Sequence, residues 1–393
     1  MSFWAEVVGQ TEAVSVLDRA ATAAVHGDSE GTTHAWLITG PPGSGRITVA
    51  RRFAAALVAK DTSAAAREAA YAMVDAGTHP DVTVVSTQAN QLDVAVVRGA
   101  VRTAYFAPAE SRVKVIVVED ADRMNQHSAN AMLKALEEPP ETSVWVLCAP
   151  SEADLLPTIR SRTRMVRLRT PDVAEVAELL TTRDGISPDE AEKAARLAQG
   201  HIGMARRLAS DAEAMARRER TIQIALSVDS LSDAMRAAAE LFEIAKADGA
   251  ALIEAQGDAE RDALRRTLGL AEGEAVPRTV RGQFKQLDDD LKRRQSRSLK
   301  DGVDRVLVDL LTLCRDVLFA VLDPQLPLVN EAHRDQILQR ASLTSVGHAL
   351  DAARAVEQAR ERMLWNVRPE LVLEAVFARQ IAARAKTESE LAG

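Results

Sequence analysis

An octapeptide with the glycine spacing of a phosphate-binding loop, Gly-Pro-Pro-Gly-Ser-Gly-Arg-Ile, begins at Gly40. In the pattern G-x-x-x-x-G-K-[ST], backbone N–H groups surround the phosphates, the lysine contacts the β- and γ-phosphates, and the hydroxyl holds Mg²⁺. Gly40, Gly43 and Gly45 keep the frame, whereas Arg46 and Ile47 replace the two reactive side chains. A planar guanidinium does not replace a compact ammonium unchanged, and isoleucine offers no oxygen to a hard cation. We therefore predict that this loop neither binds nor hydrolyses ATP well, with weak structural binding of ADP or ATP as the alternative.

An acidic pair follows the apolar run over 115–118 and has the form of a second nucleotide motif. In an active site of this type, an aspartate holds Mg²⁺ and the glutamate after it polarises water. Here the order is reversed, with Glu119 first and Asp120 second. One side chain is a methylene too long for its role and the other a methylene too short. The alternative interpretation is that the pair is left over and caps the following turn.

Strands and helices alternate over the first 170 residues. Short apolar runs predict strands at 36–39, 81–86, 113–118, 144–148 and 165–168, and helical periodicity predicts a helix at 48–60. This alternation is typical of a parallel sheet with right-handed crossovers. We therefore predict an α/β P-loop NTPase-like core over 1–170.

Strands are not predicted after residue 170. A small helical lid over 171–212 contains predicted helices at 172–180, 188–198 and 204–209, and an all-α domain follows over 213–393. Within that domain we expect a buried helix at 307–322, ended by prolines, and further helices at 349–364 and 369–382. The segment 244–305 is dense in charge and includes the runs at 288–290 and 292–294. We interpret it as an exposed insertion with solvated charges, or alternatively as a partner-binding arm.

Composition limits the possible classes of function. Of 393 residues, 47% are apolar and 27% charged, which is ordinary for a soluble globular protein, and the net charge is −8. Because a general nucleic-acid binder is usually basic, we expect any DNA contact to be local or made by a partner. Cys148 and Cys314 lie in apolar runs and are predicted core thiols. No signal peptide or membrane-spanning stretch is visible, which predicts a cytoplasmic protein without a membrane partner.

Several short motifs together resemble the clamp-loader branch of the AAA+ proteins. The central one is a helix stopped by two prolines, Asn-Ala-Met-Leu-Lys-Ala-Leu-Glu-Glu-Pro-Pro at 130–140. The others are Val-Gly-Gln at 8–10, His-Ala-Trp-Leu at 34–37, Gly-Thr-His-Pro-Asp at 77–81, Thr-Ile-Arg-Ser-Arg-Thr at 158–163 and Asn-Val-Arg-Pro-Glu-Leu at 366–371. The resemblance covers residues 5–210 well and 300–380 loosely.

The resemblance implies a place in a ring of five related subunits that opens the sliding clamp and sets it on primed DNA. Partners of the gamma/tau and delta types are implied, with ATP and Mg²⁺ at the joints between subunits and an all-α collar holding the ring. Arg162 stands where the family has an arginine finger that reaches a neighbour's ATP, and its charge would meet the charge that develops on the γ-phosphate. The alternative is that Arg162 and the other four arginines of this stretch, Arg160, Arg164, Arg167 and Arg169, only decorate a strand.

Two further positions follow from the resemblance. Arg206 stands where the lid helix of the family places a nucleotide-sensing arginine, although it could instead only pair with a carboxylate. Family members also carry a four-cysteine zinc module, which would fall near Ala59 and at Ala65, Glu68 and Tyr71. Since none of these is cysteine, we expect no zinc or other metal, and we expect residues 64–74 to form a plain helix.

We interpret the chain as a non-hydrolysing clamp-loader subunit that binds no cofactor tightly and lends Arg162 to ATP on a neighbouring subunit. One alternative is a clamp-loader ATPase subunit of the gamma/tau type that tolerates Arg46. Another is a DNA-binding repair or recombination factor, against which the negative net charge argues.

Overall fold

A computed structural model of the chain describes residues 3–28, 33–87, 91–268, 270, 277, 280–364 and 367–391. The chain divides into two compact units, an N-terminal unit Met1–Ser210 and a C-terminal unit Asp211–Gly393. Among the described residues, no helix combines the length and apolar character needed to cross a bilayer.

A five-stranded parallel sheet organises the N-terminal unit. The strands are β1 (Ala35–Thr39), β2 (Val82–Val85), β3 (Lys114–Val118), β4 (Ser143–Ala149) and β5 (Arg164–Arg167). Their spatial order is β2-β3-β4-β1-β5, and every neighbouring pair is parallel. Every residue of β1, β3 and β4 is buried, as near-continuous apolar runs in a sheet covered on both faces require. All five predicted strands and the α/β fold class are confirmed.

Helices cover both faces of this sheet. They are α1 (Thr11–His26), α2 (Arg46–Val58), α3 (Ala64–Asp75), α4 (Val94–Ala104), α5 (Gln126–Glu137) and α6 (Pro157–Arg160). Successive residues of β1 point to opposite faces. Trp36 and Ile38 accordingly pack in one core cluster with Phe53 of α2, whereas Leu37 packs in a second cluster with Met132 of α5.

Three helices complete the N-terminal unit as a lid: α7 (Val173–Asp184), α8 (Pro188–Leu197) and α9 (Ile202–Ser210). Gln10 ties the start of the chain to the segment that enters this lid. Its side-chain amide donates to the carbonyl of Arg169 at 2.7 Å and accepts from the Arg169 N–H at 3.1 Å. This paired contact gives the motif at 8–10 a structural role.

The C-terminal unit is helical throughout its described residues, apart from turns and loops. Its helices are α10 (Ala212–Leu226), α11 (Leu231–Thr267), α12 (Arg281–Leu322), α13 (Arg334–Ser342), α14 (Val346–Leu364) and α15 (Pro369–Leu391). One hydrophobic core joins them. The helix predicted at 307–322 is the last part of α12, which has 42 residues and ends where predicted, just before Pro324.

The prediction of an exposed insertion over 244–305 is wrong for the base of that segment. Helices α11 and α12 cross so closely there that a Cβ added to Gly249 would lie 2.4 Å from the Ser298 carbonyl, and one added to Gly302 would lie 2.1 Å from that of Ala245. Ala245 and Ser298 are buried. Small residues at the crossing therefore bring the two backbones together and make this part of the insertion core. The side chains at 289, 290 and 292–294, which carry most of the predicted charge runs, lie outside the described residues, as does Asn366.

Candidate phosphate loop and arginine-finger site

The phosphate loop connects β1 to α2 at the carboxyl edge of the sheet, the edge at which the parallel strands end. Gly43 and Gly45 have positive φ angles of 84° and 83°, and Gly45 is the N-cap of α2. Glycine adopts this left-handed conformation without steric cost. The loop therefore keeps the shape that aims backbone N–H groups at an anion near a helix N-terminus.

Arg46, in the position of the lysine, is turned back onto the loop itself. Its Nη1 donates to the carbonyl of Gly40. Its Nε is buried and has no hydrogen-bond partner among the described residues. The Arg46 guanidinium thus donates to a carbonyl of its own loop. The next residue, Ile47, has a relative exposure of 42%.

His201, which sequence reasoning missed, lies over the glycine loop. A Cβ added to Gly43 would lie 2.3 Å from its Cγ, and the Ile202 N–H donates to the Gly43 carbonyl at 3.4 Å. Burial lowers the pKa of His201, and the positive charge of Arg46 lowers it further, although a backbone hydrogen bond opposes the shift. An imidazole whose pKa favours the neutral form therefore packs from the lid against Gly43 of the loop.

The α8–α9 turn is wound tightly enough to bring His201 to this place. Gln199 and Gly200 both have positive φ angles, 49° and 79°. A Cβ added to Gly200 would lie 2.2 Å from the carbonyl of Pro171. No periodic pattern in the sequence predicts such a turn. The one sequence feature that could have indicated the position of His201 is that it directly follows Gly200 in the lid.

A cleft of about 330 Å³ lies between the loop and the lid. Arg206 lines it as the resemblance implies, and its Nε pairs with Asp184 at 2.7 Å. Arg183, a second arginine that sequence reasoning missed, also lines the cleft and pairs with Glu6 at 3.1 Å. The guanidinium groups of Arg183 and Arg206 are thus paired with carboxylates of the same unit.

The acidic pair follows β3 at the same carboxyl edge. Glu119 is nearly buried and pairs with Arg51 of α2 at 2.7 Å, and Arg51 also pairs with Asp75 at 2.9 Å. Asp120 accepts the Thr87 N–H at 3.0 Å. It stands at the N-cap of the 3-10 turn Ala121–Arg123 but makes no side-chain capping bond there. The interpretation that the pair caps this turn is therefore wrong for Asp120, whose side chain accepts from the segment after β2 and pairs with Arg123 of the turn at 3.4 Å.

Arg162 lies at the opposite end of the sheet, the amino edge, in the turn between α6 and β5. Its Nη2 pairs with Glu137 at 2.6 Å, and its Nη1 donates to the Thr158 carbonyl at 2.8 Å and to the Ser161 hydroxyl at 3.1 Å. The Arg162 side chain has a relative solvent exposure of 34%. The guanidinium is therefore held at the surface without being buried.

The other four arginines of this stretch have different surroundings. Arg160 is exposed. Arg164 lies over the ring of Trp36 at 5.1 Å, Arg167 pairs with Glu152 at 2.8 Å, and Arg169 pairs with Glu175 at 2.5 Å. The β5 arginines thus cover an edge strand, which protects its unpaired backbone from another sheet.

Two motifs of the resemblance have structural roles near the amino edge. Asp81 is fully buried and accepts the N–H groups of Ala109, Glu110 and Ser111 at 2.6–2.8 Å. Burial raises the pKa of Asp81, but these hydrogen bonds outweigh it and hold the pKa well below the usual range. His34 Nε2 donates to the carbonyl of Leu136 at 3.0 Å, which fixes the end of α5 to the start of β1.

The helix predicted at 64–74 is present as α3. Two of the positions where the resemblance would place zinc ligands contact Arg52: Glu68 pairs with it at 3.0 Å, and the Tyr71 ring lies 4.2 Å from its guanidinium carbon. No group of metal-binding side chains is found within the described ranges. Both cysteines are buried, and burial raises the pKa of each thiol to about 12, so neither is a reactive thiolate.

The sheet order, the glycine loop between β1 and α2, and the helical lid define an AAA+ module, which here precedes a helical C-terminal unit. A sequence profile of the family described as DNA polymerase III, delta subunit, matches residues 10–172. DNA polymerase III subunit delta' of Pseudomonas aeruginosa is 33% identical over 216 residues, which are 53% of this chain and 65% of that protein. DNA polymerase III subunit gamma of Buchnera aphidicola is 31% identical over 196 residues, 48% of this chain and 52% of that protein.

The chain thus spans less than two thirds of the length of each of these relatives. Among solved structures, a gamma subunit-related protein of Thermotoga maritima covers 92% of this chain, with 17% identity and a TM-score of 0.43. Over residues 10–172, the chain is thus similar to the DNA polymerase III clamp-loader family that includes the delta-prime and gamma subunits. The resemblance seen in its motifs is confirmed.

Proposed function

We propose that this chain is a non-hydrolysing, delta-prime-like subunit of the DNA polymerase III clamp loader. It supports ATP-dependent loading of the sliding clamp onto primed DNA and donates Arg162 to ATP bound by a neighbouring subunit. The observation that carries this proposal is the separation of the two sites: the phosphate loop lies at the carboxyl edge of the sheet, and the partly exposed guanidinium of Arg162 lies at the amino edge.

The separation excludes action of Arg162 on the chain's own loop. Arg164 pairs with Trp36 near the start of β1, whereas Gly40 follows the end of that strand. β1 has five residues, which at about 3.3 Å each put the two edges about 16 Å apart. A single arginine side chain does not span this distance, so a nucleotide that meets Arg162 has to be held by another molecule.

The side chains at the carboxyl edge support the non-hydrolysing part of the proposal. Arg46 is turned onto Gly40, His201 lies over Gly43, and Glu119 is paired with Arg51. Binding Mg·ATP in this loop would require His201 to move and would still lack the hydroxyl ligand that Ile47 replaces. We propose that the chain binds no cofactor tightly and that ATP and Mg²⁺ are held by neighbouring subunits.

The partners are part of the same proposal. Relatives named delta' and gamma support an assembly with gamma/tau and delta subunits in a hetero-pentamer, which meets the clamp and primed DNA as a complex. The helical C-terminal unit would act as the collar of that ring. ATP binding by the active neighbours would then be coupled to ring assembly and clamp opening. A cytoplasmic location remains a prediction.

Turnover of ATP by the assembled complex tests this function. Arg162→Ala should lower the rate by about 10³-fold or more, the effect of removing an arginine finger in other systems. Arg160→Ala, at the end of the adjoining helix α6, is the matched control and should leave the rate unchanged. The chain alone should hydrolyse no ATP. Normal turnover by the complex that carries Arg162→Ala would refute the finger.

A second candidate function is an ATPase subunit of the gamma/tau type. One observation favours it: Arg206 lines the cleft, and its Nη2 is buried without a hydrogen-bond partner among the described residues. A bound phosphate would supply that partner. Saturable nucleotide binding by the isolated chain, lost in Gly45→Asp, would support this candidate over the first.

A further inference from the structure

We infer that Glu137 is the positioning residue of the arginine finger, an assignment that rests on the proposed function. The Glu137 carboxylate lies 2.6 Å from Nη2 of Arg162. The two residues belong to different motifs, since Glu137 ends α5 and Arg162 follows α6. The fold therefore joins the proline-stopped helix and the arginine stretch through one ion pair.

Among the recorded partners of Arg162, Glu137 differs from the other two by its place in the chain. Thr158 of α6 and Ser161, which directly follows α6, lie within four residues of Arg162 and would move with it. Glu137 comes from a separate helix and fixes the guanidinium relative to the sheet. Without this contact, the side chain would remain tied only to its own short turn.

These contacts leave some N–H donors of the Arg162 guanidinium available for a further hydrogen-bond acceptor. Arginine has five N–H donors, and the Nη1 hydrogen bonds to Thr158 and Ser161 together with the Nη2 ion pair to Glu137 engage at most three of them. Two donors remain for an acceptor that approaches from outside. A phosphate group, which carries more negative charge than a carboxylate, can use such a pair of donors in the bidentate geometry that arginine favours.

Glu137 is itself held in place by the structure around it. Pro139 and Pro140 stop the helix directly after it, because proline cannot continue the hydrogen-bond pattern. His34 donates to the carbonyl of Leu136, the residue before Glu137. The negative end of the α5 dipole lies at the same point and adds to the attraction for a cation. Arg162 is therefore oriented by a glutamate whose own position is fixed by the end of α5.

The ion pair between Glu137 and Arg162 is too weak to contribute much to the stability of the fold, but it can still orient the guanidinium. The two side chains keep 34% and 47% of their exposure. Ion pairs this exposed contribute at most about 1 kcal/mol. Loss of Glu137 should thus leave the fold intact. Because misplacement of a catalytic group by about 1 Å can cost about 10²-fold in rate, it should still slow the reaction on the neighbour's ATP.

The test measures ATP turnover of the complex with Glu137→Ala or Glu137→Gln in this chain. We expect Glu137→Ala to lower kcat about tenfold with little change in KM, and Glu137→Gln to lower it less, because the amide keeps one acceptor. Glu138→Ala, one residue further along and also exposed, is the matched control and should leave kcat unchanged. In an Arg162→Ala background, Glu137→Ala should have no further effect.

Two outcomes would overturn the assignment. An unchanged kcat with Glu137→Ala would mean that Arg162 needs no orientation, and a raised kcat would mean that Glu137 competes with the nucleotide for the guanidinium. Either result, combined with a large loss for Arg162→Ala, would leave the proposed function standing. Full turnover with Arg162→Ala would instead remove the proposed function and this assignment together.

Discussion

The two edges of the sheet differ in how their charged side chains are placed. At the carboxyl edge, Arg46 is turned onto its own loop and Glu119 is nearly buried against Arg51. At the amino edge, Arg162 is held at the surface with part of its hydrogen-bonding capacity available. A nucleotide-binding fold can thus keep its frame while the side chains of one edge turn onto one another and the other edge keeps a guanidinium at the surface.

The contrast also shows what the glycine frame contributes once its reactive side chains are replaced. Gly43 gives room to a histidine ring, and Gly200 lets the lid turn pass close to Pro171. Gly43, a residue of the frame that admits a phosphate in an active loop, here admits protein atoms. The frame therefore connects the lid firmly to the core.

The largest effect that we predict tests the shape of the finger. Arg162→Lys keeps the positive charge but loses the planar fork, so complex turnover should fall about 10²-fold or more. Arg167→Lys, which changes an exposed arginine of β5, should leave turnover unchanged. Wild-type turnover with lysine at position 162 would mean that charge alone suffices and that the fork geometry has no role.

The next effect concerns the support of the amino edge. Asp81→Asn should destabilise the N-terminal unit by about 2 kcal/mol, because three N–H groups lose the charged acceptor that the buried Asp81 supplies. Urea unfolding followed by circular dichroism measures this loss, with the exposed Asp75→Asn as control. Since the folded-state pKa of Asp81 is lowered, its stabilisation is present above the unfolded value of about 3.9 and is lost as the pH falls below it. A variant as stable as the wild type would exclude this role.

Substitutions in the phosphate loop and the lid should restore nucleotide binding at the carboxyl edge. The triple variant Arg46→Lys, Ile47→Thr and His201→Ser restores the loop chemistry and removes the ring over Gly43. It should bind Mg·ATP at least about tenfold more tightly than the wild type, a difference of about 1.4 kcal/mol that calorimetry can resolve. The double variant that keeps His201 is the control. If it gains as much affinity as the triple variant, His201 is not the obstacle.

The smallest effect is a pH dependence at the same edge. The folded-state pKa of His201 is lowered, so the stability that its neutral form supplies is present above the unfolded value of about 6.5 and is lost as the pH falls below it. Between pH 7.5 and 5.5, the wild type should lose more unfolding free energy than His201→Asn, by a few tenths of a kcal/mol because the ring is only partly buried. Equal losses in both proteins would contradict the contact with the loop.

Local sequence patterns were sufficient to predict the five strands, the loop frame and α3. Buried strands such as β3 are near-continuous β-branched runs, and the loop has a fixed glycine spacing. These features depend on neighbours in the chain. Arg206 was predicted at the cleft only through the resemblance, and its pairing with Asp184 is the alternative that the sequence left open.

The remaining features depend on residues that are distant in sequence. His201 reaches Gly43 through a turn with unusual backbone angles, and Glu137 meets Arg162 only because α5 and β5 share the amino edge. The burial of the base of α11 and α12 depends on a close helix crossing at Gly249, inside a segment whose composition suggests exposure. Composition and periodicity describe one element at a time and do not contain these contacts.

One side-by-side measurement tests the central claim most directly. ATP turnover of the reconstituted complex should be compared for two variants of this chain, Gly45→Asp in the phosphate loop and Arg162→Ala at the amino edge. We predict wild-type turnover for Gly45→Asp and a loss of about 10³-fold for Arg162→Ala. A large loss for Gly45→Asp together with wild-type turnover for Arg162→Ala would mean that this subunit uses its own nucleotide and lends no arginine.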